Sequence, residues 1–248
     1  MLRCPPGTVH HTLRRGDTLY RLANFYNTTV DDIRNANPGI DPYNLFIGQV
    51  LCIPKNSRYR MYRQGPKEIS MAELQLRNAL RSLWEQHVEW TRMAILSMAN
   101  DSPDAPYVTA RLLRNAPDMA ALLRPLYGDA NADNFERLIR EHLTIASELV
   151  KAAKAGDTAA AAKAEKDWYA NADDIAYFLS RLNPYWPQEE TRSMLYEHLA
   201  LTKAEALAIL NKEYEKSIEL YDRVEQQALG MADVLAMGIV RQFPNMFS

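Results

Sequence analysis

The 248-residue sequence has few cysteines, no excess of charge and no long hydrophobic segment. Its formal net charge of -2 argues against a protein that binds nucleic acid. No apolar run approaches the roughly 18 residues needed to span a bilayer, so we expect no insertion into a membrane. The segment from Met1 to Leu13 lacks the apolar core of a signal peptide, so no secretory leader is visible.

The two cysteines of the chain are Cys4 and Cys52. Because none follows Cys52, the C-terminal part has no thiol nucleophile for a Cys-His hydrolase. The two thiols can pair across a small sheet, where a disulfide would stabilise a domain with a marginal core. The alternative is one buried thiol and one free thiol.

The stretch from Thr8 to Pro54 predicts two short strands that enclose two short helices. Its aliphatic and β-branched residues predict strands at Val9–Leu13 and Val50–Ile53, and Pro54 ends the second strand.

Apolar residues recur at helical spacing between these strands. They are Leu19, Leu22, Ala23 and Tyr26 in the first predicted helix, and Val30, Ile33 and Ala36 in the second. Either Asp17 or Thr18 can cap the first helix. Thr29, with Asp32 three residues on, forms a variant capping box for the second helix. Asn37-Pro38-Gly39 then ends that helix.

Several separated elements of this stretch resemble the LysM family, a βααβ carbohydrate-binding module. In chain order they are Gly16-Asp17-Thr18-Leu19, Leu22-Ala23, Tyr26, Val30, Ile33, Asn37-Pro38-Gly39, Leu45, Gly48-Gln49 and Ile53-Pro54. The resemblance covers about a fifth of the chain. His11 departs from it, because the family more often has an aromatic residue at that position.

The resemblance implies binding of polymers that contain N-acetylglucosamine, meaning peptidoglycan or chitin. In LysM modules the sugar lies in a shallow groove between the loop after the first strand and the loop after the second helix. Those loops contain the glycan-binding candidates Gly16, Asp17, Thr18, Leu19, Asn37, Pro38, Gly39, Ile40, Tyr43 and Leu45. Glycine permits close approach of the backbone, and the apolar side chains offer a wall for the N-acetyl methyl group. The alternative is that these residues only build the turns and the core.

Residues 55–69 are rich in lysine and arginine and predict a basic linker. We favour a solvated connection over contact with polyanionic wall polymers. The N-terminal module therefore spans residues 1–54, and a second domain spans residues 70–248.

The second domain shows helical periodicity throughout. Turn signals divide it into six predicted helices: Ser70–Met98, Pro106–Leu126, Ala132–Ala155, Thr158–Leu182, Gln188–Leu210 and Glu213–Gln242. His87, His142 and His198 recur at nearly equal spacing, each after Glu or Gln. Repetition at this period predicts an all-α bundle of three repeated αα-hairpins.

The three histidines lie on the apolar faces of their predicted helices. Together with Asp118, Asp174, Asp233 and Glu205 they can be read as a transition-metal site inside the bundle. The Glu-x-x-His spacing of di-iron carboxylate bundles is absent. We therefore favour histidines that each hydrogen-bond a carboxylate of another helix and so fix the register of the hairpins.

Trp84-Glu85-Gln86-His87 and Tyr196-Glu197-His198-Leu199 resemble uncharacterised helical domains that accompany LysM modules in spore-forming bacteria. We therefore expect a non-catalytic protein of a bacterial cell wall or spore envelope that binds peptidoglycan or chitin and has no cofactor. Its helical domain would act as a structural body or bind a protein partner. The alternative is a metal-binding bundle, an oxidoreductase or a hydrolase, that the LysM module targets to the wall.

Overall fold

The computed structural model describes residues 4–14, 17–26, 28, 30–40, 45–54 and 69–248. These residues fall into two compact units, divided between Glu68 and Ile69. The predicted linker lies outside the described residues, apart from Ile69 at its end.

The N-terminal unit contains two strands and two helices in βααβ order. They are β1 (Thr8–Thr12), α1 (Leu19–Phe25), α2 (Val30–Ala36) and β2 (Val50–Pro54). The strands pair antiparallel, with Val9 opposite Ile53 and His11 opposite Leu51. Thr29, the predicted start of the second helix, lies outside the described residues.

Aliphatic side chains of α1, α2 and β2, together with Leu13 directly after β1, form the core of this unit. They are Leu13, Leu19, Leu22, Ala23, Val30, Ile33, Leu51 and Ile53. The predicted apolar helix faces therefore supply most of the core.

The C-terminal unit is entirely helical. Its α-helices are α3 (Met71–Ala99), α4 (Ala105–Leu113), α5 (Asn115–Tyr127), α6 (Asp129–Ala155), α7 (Thr158–Leu182), α8 (Gln188–Leu210) and α9 (Tyr214–Gln242). A short 3-10 turn follows at Pro244–Met246. The start and end of the unit meet where the Ser70 hydroxyl donates to the Phe247 carbonyl at 2.9 Å.

One predicted helix, Pro106–Leu126, is two helices in the structure. The break falls at Arg114, between α4 and α5. Pro117 explains it, because proline has no N–H to bond the carbonyl of Leu113 four residues earlier. The break makes Asn115 the first residue of α5.

From α5 to α9 each helix packs against the next one along the chain, and α9 returns to pack against α3. Helix α5 contacts α6, α7 contacts both α6 and α8, and α9 contacts both α8 and α3. The histidine-bearing helices α3, α6 and α8 also contact one another. Across the described part of the chain, no helix combines the length and apolar character needed to cross a bilayer.

Candidate functional site

A groove of about 460 Å³ lies at the C-terminal end of α2. Its lining residues are Arg34, Asn35, Asn37, Gly39 and Ile40. The chain turns here through hydrogen bonds from Asn37 N–H to the Arg34 carbonyl and from Ile40 N–H to the Asn37 carbonyl. Gly39 has a φ of 85°, a conformation that favours glycine.

The side chain of Asn37 faces the protein rather than the groove. It is 9% exposed. Its Nδ2 donates to the carbonyls of Ile33 at 2.6 Å and Cys52 at 2.7 Å. Its Oδ1 accepts from the Cys52 N–H at 2.8 Å. The amide therefore fixes the turn to β2 and has little capacity left for a ligand.

The loop before α1 is held by a chain of three polar side chains. The Nε2 of His11 lies 2.8 Å from Asp17 Oδ2, and its Nδ1 lies 2.8 Å from the Tyr26 hydroxyl. Asp17 also accepts the Arg14 N–H at 2.8 Å. Burial acts to raise the pKa of Asp17, but these hydrogen bonds outweigh it and leave the pKa below its usual value. His11, the departure from the LysM pattern, thus anchors this loop.

The other sequence candidates divide into buried and accessible residues. Thr18 caps α1, since its hydroxyl accepts the Arg21 N–H at 3.1 Å. Leu19 is buried, and Leu45 packs against the core. Pro38 and Gly39 are exposed, and Ile40 is half-buried. Gly16 and Tyr43 lie outside the described residues.

Four residues that sequence reasoning missed are accessible around these loops. Arg34 and Asn35 line the groove, and their place in the last turn of α2 before Asn37-Pro38-Gly39 was the available signal. Phe46 and Ile47 are 64% and 69% exposed. Their turn is tied to the end of β1, because the Gly48 N–H donates to the Leu13 carbonyl at 2.9 Å.

Cys4 and Cys52 are joined by a disulfide with a Cα–Cα distance of 5.3 Å. This distance lies within the usual range for a disulfide. Cys52 is buried in β2, opposite His10. The bond therefore attaches the arm before β1 to the strand that Asn37 holds.

In the helical unit the three histidines are buried and each bonds an amide of another helix. The Nδ1 atoms of His87 and His142 lie 3.0 Å and 2.8 Å from the Oδ1 atoms of Asn115 and Asn171. The His198 Nδ1 lies 3.0 Å from Gln227 Oε1. The favoured prediction placed carboxylates in these positions, and it was wrong about the partner.

Each amide also donates to the backbone one turn before its histidine. The acceptors are the carbonyls of Leu83, Leu138 and Met194, at 3.1, 3.1 and 2.8 Å. Because the amide nitrogen is used in this way, its oxygen faces Nδ1, and the neutral imidazole must carry its proton there. The same arrangement thus occurs three times.

Burial lowers the pKa of His87 and of His142 to about 4, and it lowers the pKa of His198 well below its usual value. His142 Nε2 also accepts from the Trp168 indole N–H at 3.1 Å. The rings of His87 and His198 are 5.5 Å apart. All three imidazoles are therefore neutral at physiological pH.

Three of the four carboxylates of the metal hypothesis form ion pairs with arginines instead. Asp118 pairs with Arg114, Asp233 with Arg81 and Glu205 with Arg92. Asp174 follows Asn171 by one helical turn and makes no hydrogen bond to a histidine. Within the described residues, no three His, Cys, Asp or Glu side chains are placed to hold a metal ion.

Comparison with known proteins identifies a LysM domain at residues 11–54. The chain is 40% identical over 50 residues to the secreted LysM effector Blys4 of Beauveria bassiana (strain ARSEF 2860), which is 20% of this chain and 29% of that protein. It is 40% identical over 48 residues to the secreted LysM effector ELP2 of Colletotrichum higginsianum (strain IMI 349063), 19% of this chain and 27% of that protein. No solved structure matches.

These comparisons confirm the LysM prediction, and a LysM domain implies binding of carbohydrate. The chain spans less than a third of the length of the curated relatives it matches. Both matches fall in the LysM region, so the comparisons do not support the bacterial wall or spore setting.

Proposed function

We propose that the LysM domain binds polymers of N-acetylglucosamine, chitin or peptidoglycan, in the groove at the end of α2. The observation that carries this proposal is the groove itself, bounded by the exposed turn at Pro38 and Gly39. An N-acetylated sugar presents an amide N–H, an amide carbonyl and a methyl group. The groove has to satisfy all three.

The turn supplies groups of each kind. Gly39 is exposed, and its N–H and carbonyl make no backbone hydrogen bond with any described residue. In this proposal both groups bond the amide of the sugar. The exposed side chain of Asn35 adds a donor and an acceptor. Ile40 is half-buried and offers an apolar contact to the methyl group.

Phe46 and Ile47 extend the surface available to a polymer. Both are exposed although apolar, in the turn tied to the end of β1. The apolar face of a sugar ring packs against such side chains. A single shallow site of this kind buries little ligand, so we expect weak binding that improves with the length of the polymer.

The protein acts outside the cell in this proposal. The two named relatives are secreted effectors, and the disulfide between Cys4 and Cys52 fits an oxidising compartment. The cell wall or spore envelope of a bacterium remains a hypothesis that rests on the resemblance of the helical region.

The helical unit has a non-catalytic, structural or partner-binding role in this proposal. Its buried histidines are occupied by hydrogen bonds to amides, which support a function in fixing the register of helices. The threefold recurrence of this arrangement also supports three related hairpins: α3 with α5, α6 with α7, and α8 with α9.

Retention of the full chain on insoluble chitin and on purified peptidoglycan tests the glycan proposal. We expect retention on at least one polymer and competition by soluble N-acetylglucosamine oligomers. Asn35→Leu removes an exposed amide of the groove and should reduce the retained fraction. His10→Ala, on the exposed face of β1 and outside the groove, is the control. Absence of retention, or equal retention of both variants and the wild type, would refute the proposal.

A further inference from the structure

The helical unit contains a cavity of about 260 Å³ between α3, α6, α7 and α8. Its wall is mostly apolar, with Leu149, Val150 and Leu210 among the lining residues and the indole of Trp168 on one side. The space exists because α7 begins with small residues, and Ala161 and Ala162 face the cavity. The cavity opens to solvent on one side, where the lining residues Thr158, Ala162 and Leu207 are exposed.

Thr202 is the polar residue that makes this cavity unusual. It is 5% exposed, and its hydroxyl has no hydrogen-bond partner among the described residues. The hydroxyls of Thr91, Thr144 and Thr191 instead bond the carbonyl four residues earlier in their helices. A buried hydroxyl without a partner is costly. Rotation of the Thr202 side chain to another staggered rotamer would turn this hydroxyl toward a polar group bound in the cavity that Thr202 lines.

Charge at the cavity is balanced. Lys203 and Glu165 form a 2.5 Å ion pair across α8 and α7, and each side chain keeps about a third of its exposure. This pair lies at the solvent side, whereas Thr202 lies deeper. A charged group next to Thr202 would find no counter-ion there and would lose its hydration. The site therefore favours a neutral ligand.

The volume sets the size of that ligand. An apolar cavity of about 150 Å³ accommodates benzene, with its six carbon atoms. By proportion this cavity accommodates roughly ten non-hydrogen atoms.

We propose that this cavity binds a small neutral amphiphile, an alcohol with a hydrocarbon skeleton, whose hydroxyl group bonds Thr202 while its chain lies against the apolar wall. The site belongs to the helical unit, and its existence does not depend on glycan binding.

The proposal is tested with 1-octanol, added to the full chain and followed by titration calorimetry. We expect saturable binding with one site per chain. Octanoate and octylammonium carry the same number of carbon atoms with a charged head, and both should bind at least tenfold more weakly. Non-saturable binding of 1-octanol, or tighter binding of either charged analogue, would overturn the proposal.

Two variants with a matched control locate the site. Ala161→Leu fills the cavity and should weaken binding at least tenfold, while Ala160→Leu, exposed on the same helix, should leave it unchanged. Thr202→Val removes the hydroxyl and should weaken binding about fivefold without lowering the melting temperature. Equal affinity of the wild type, Ala161→Leu and Thr202→Val would place the bound alcohol elsewhere and overturn the proposal.

Discussion

The side-chain amide of Asn37 hydrogen-bonds both the N–H and the carbonyl of Cys52. It accepts the Cys52 N–H at 2.8 Å and donates to the Cys52 carbonyl at 2.7 Å. The same cysteine forms the disulfide to Cys4. One residue of β2 therefore holds both the N-terminal arm and the turn that lines the groove.

Asn37→Ala should destabilise the N-terminal unit by about 3 kcal/mol, since each buried backbone group left without a partner costs ~1–3 kcal/mol. Amide hydrogen exchange of Leu51 and Ile53 in β2 measures this change. Asn35→Ala is the control, because that exposed side chain should contribute less than about 0.5 kcal/mol. Equal exchange rates in the two variants would show that the Asn37 amide does not hold β2.

Reduction of the disulfide should also destabilise the N-terminal unit. Cys4 and Cys52 are separated by 48 residues, and a loop of that length corresponds to about 4 kcal/mol in the chain-entropy account. Cys4→Ser should have the same effect while Cys52 stays buried. The helical unit has no cysteine, so its thermal transition should not change. Unchanged exchange in β2 after reduction would contradict this prediction.

Gly238→Ala should destabilise the helical unit. A Cβ atom built on Gly238 would lie 2.0 Å from Trp186 Nε1, and Trp186 is fully buried. We expect a loss of about 1–3 kcal/mol or more, because the indole cannot move without disturbing the core. Thermal unfolding measures it.

Gly230→Ala is the matched control on the same helix. Apart from its chain neighbours and the backbone of its own helical turns, no atom of the described residues lies within 4 Å of the Cβ position at Gly230. Alanine should therefore stabilise α9 by about 0.5–1 kcal/mol. A similar response at both glycines would show that Trp186 does not restrict position 238.

The three buried imidazoles should be neutral at pH 6, with the proton on Nδ1. The amide oxygens of Asn115, Asn171 and Gln227 face this atom. Long-range ¹H–¹⁵N spectra distinguish the two tautomers and the charged ring. A proton on Nε2, or a charged ring at pH 6, would contradict the hydrogen-bond assignment.

Acid should weaken the helical unit through these histidines. The pKa values of His87 and His142 are about 4 when folded, below the usual value of 6.5, so the unfolded chain binds more protons between these limits. Their contribution to stability is complete above pH 6.5 and is lost as the pH falls towards 4. Urea unfolding at pH 7 and pH 5 measures the loss.

Glu197 acts in the opposite direction, because burial raises its pKa to about 7. The folded state then binds the extra proton between pH 7 and the usual value near 4.5, which favours folding as the pH falls. Glu197→Gln removes this contribution. The variant should therefore lose more stability than the wild type between pH 7 and pH 5, and an equal or smaller loss would contradict the account.

Local signals explain where sequence reasoning succeeded. The helix Thr158–Leu182 was predicted with its observed bounds. Gly156 adopts the left-handed conformation that ends α6, and Asp157 accepts the Ala160 N–H to begin α7. Such caps involve residues close in sequence and can be recognised without the fold.

Tertiary contacts explain where sequence reasoning failed. Asn115 and Asp118 are both polar and lie one turn apart, so the pattern did not reveal which of them His87 contacts. The orientation of Asn37 depends on β2, which is distant in sequence. Contacts between elements that are distant in sequence decide these choices, and a single sequence does not encode them in a local pattern.

The most direct test of the account is the response of the backbone amides of the full chain to soluble N-acetylglucosamine oligomers. We predict that millimolar oligomer shifts the ¹⁵N–¹H signals of Asn35, Gly39 and Ile40 at the groove. The signals of α3 to α9 should stay in place. Unmoved groove signals at that concentration, or shifts confined to the helical unit, would contradict the assignment of glycan binding to the LysM domain.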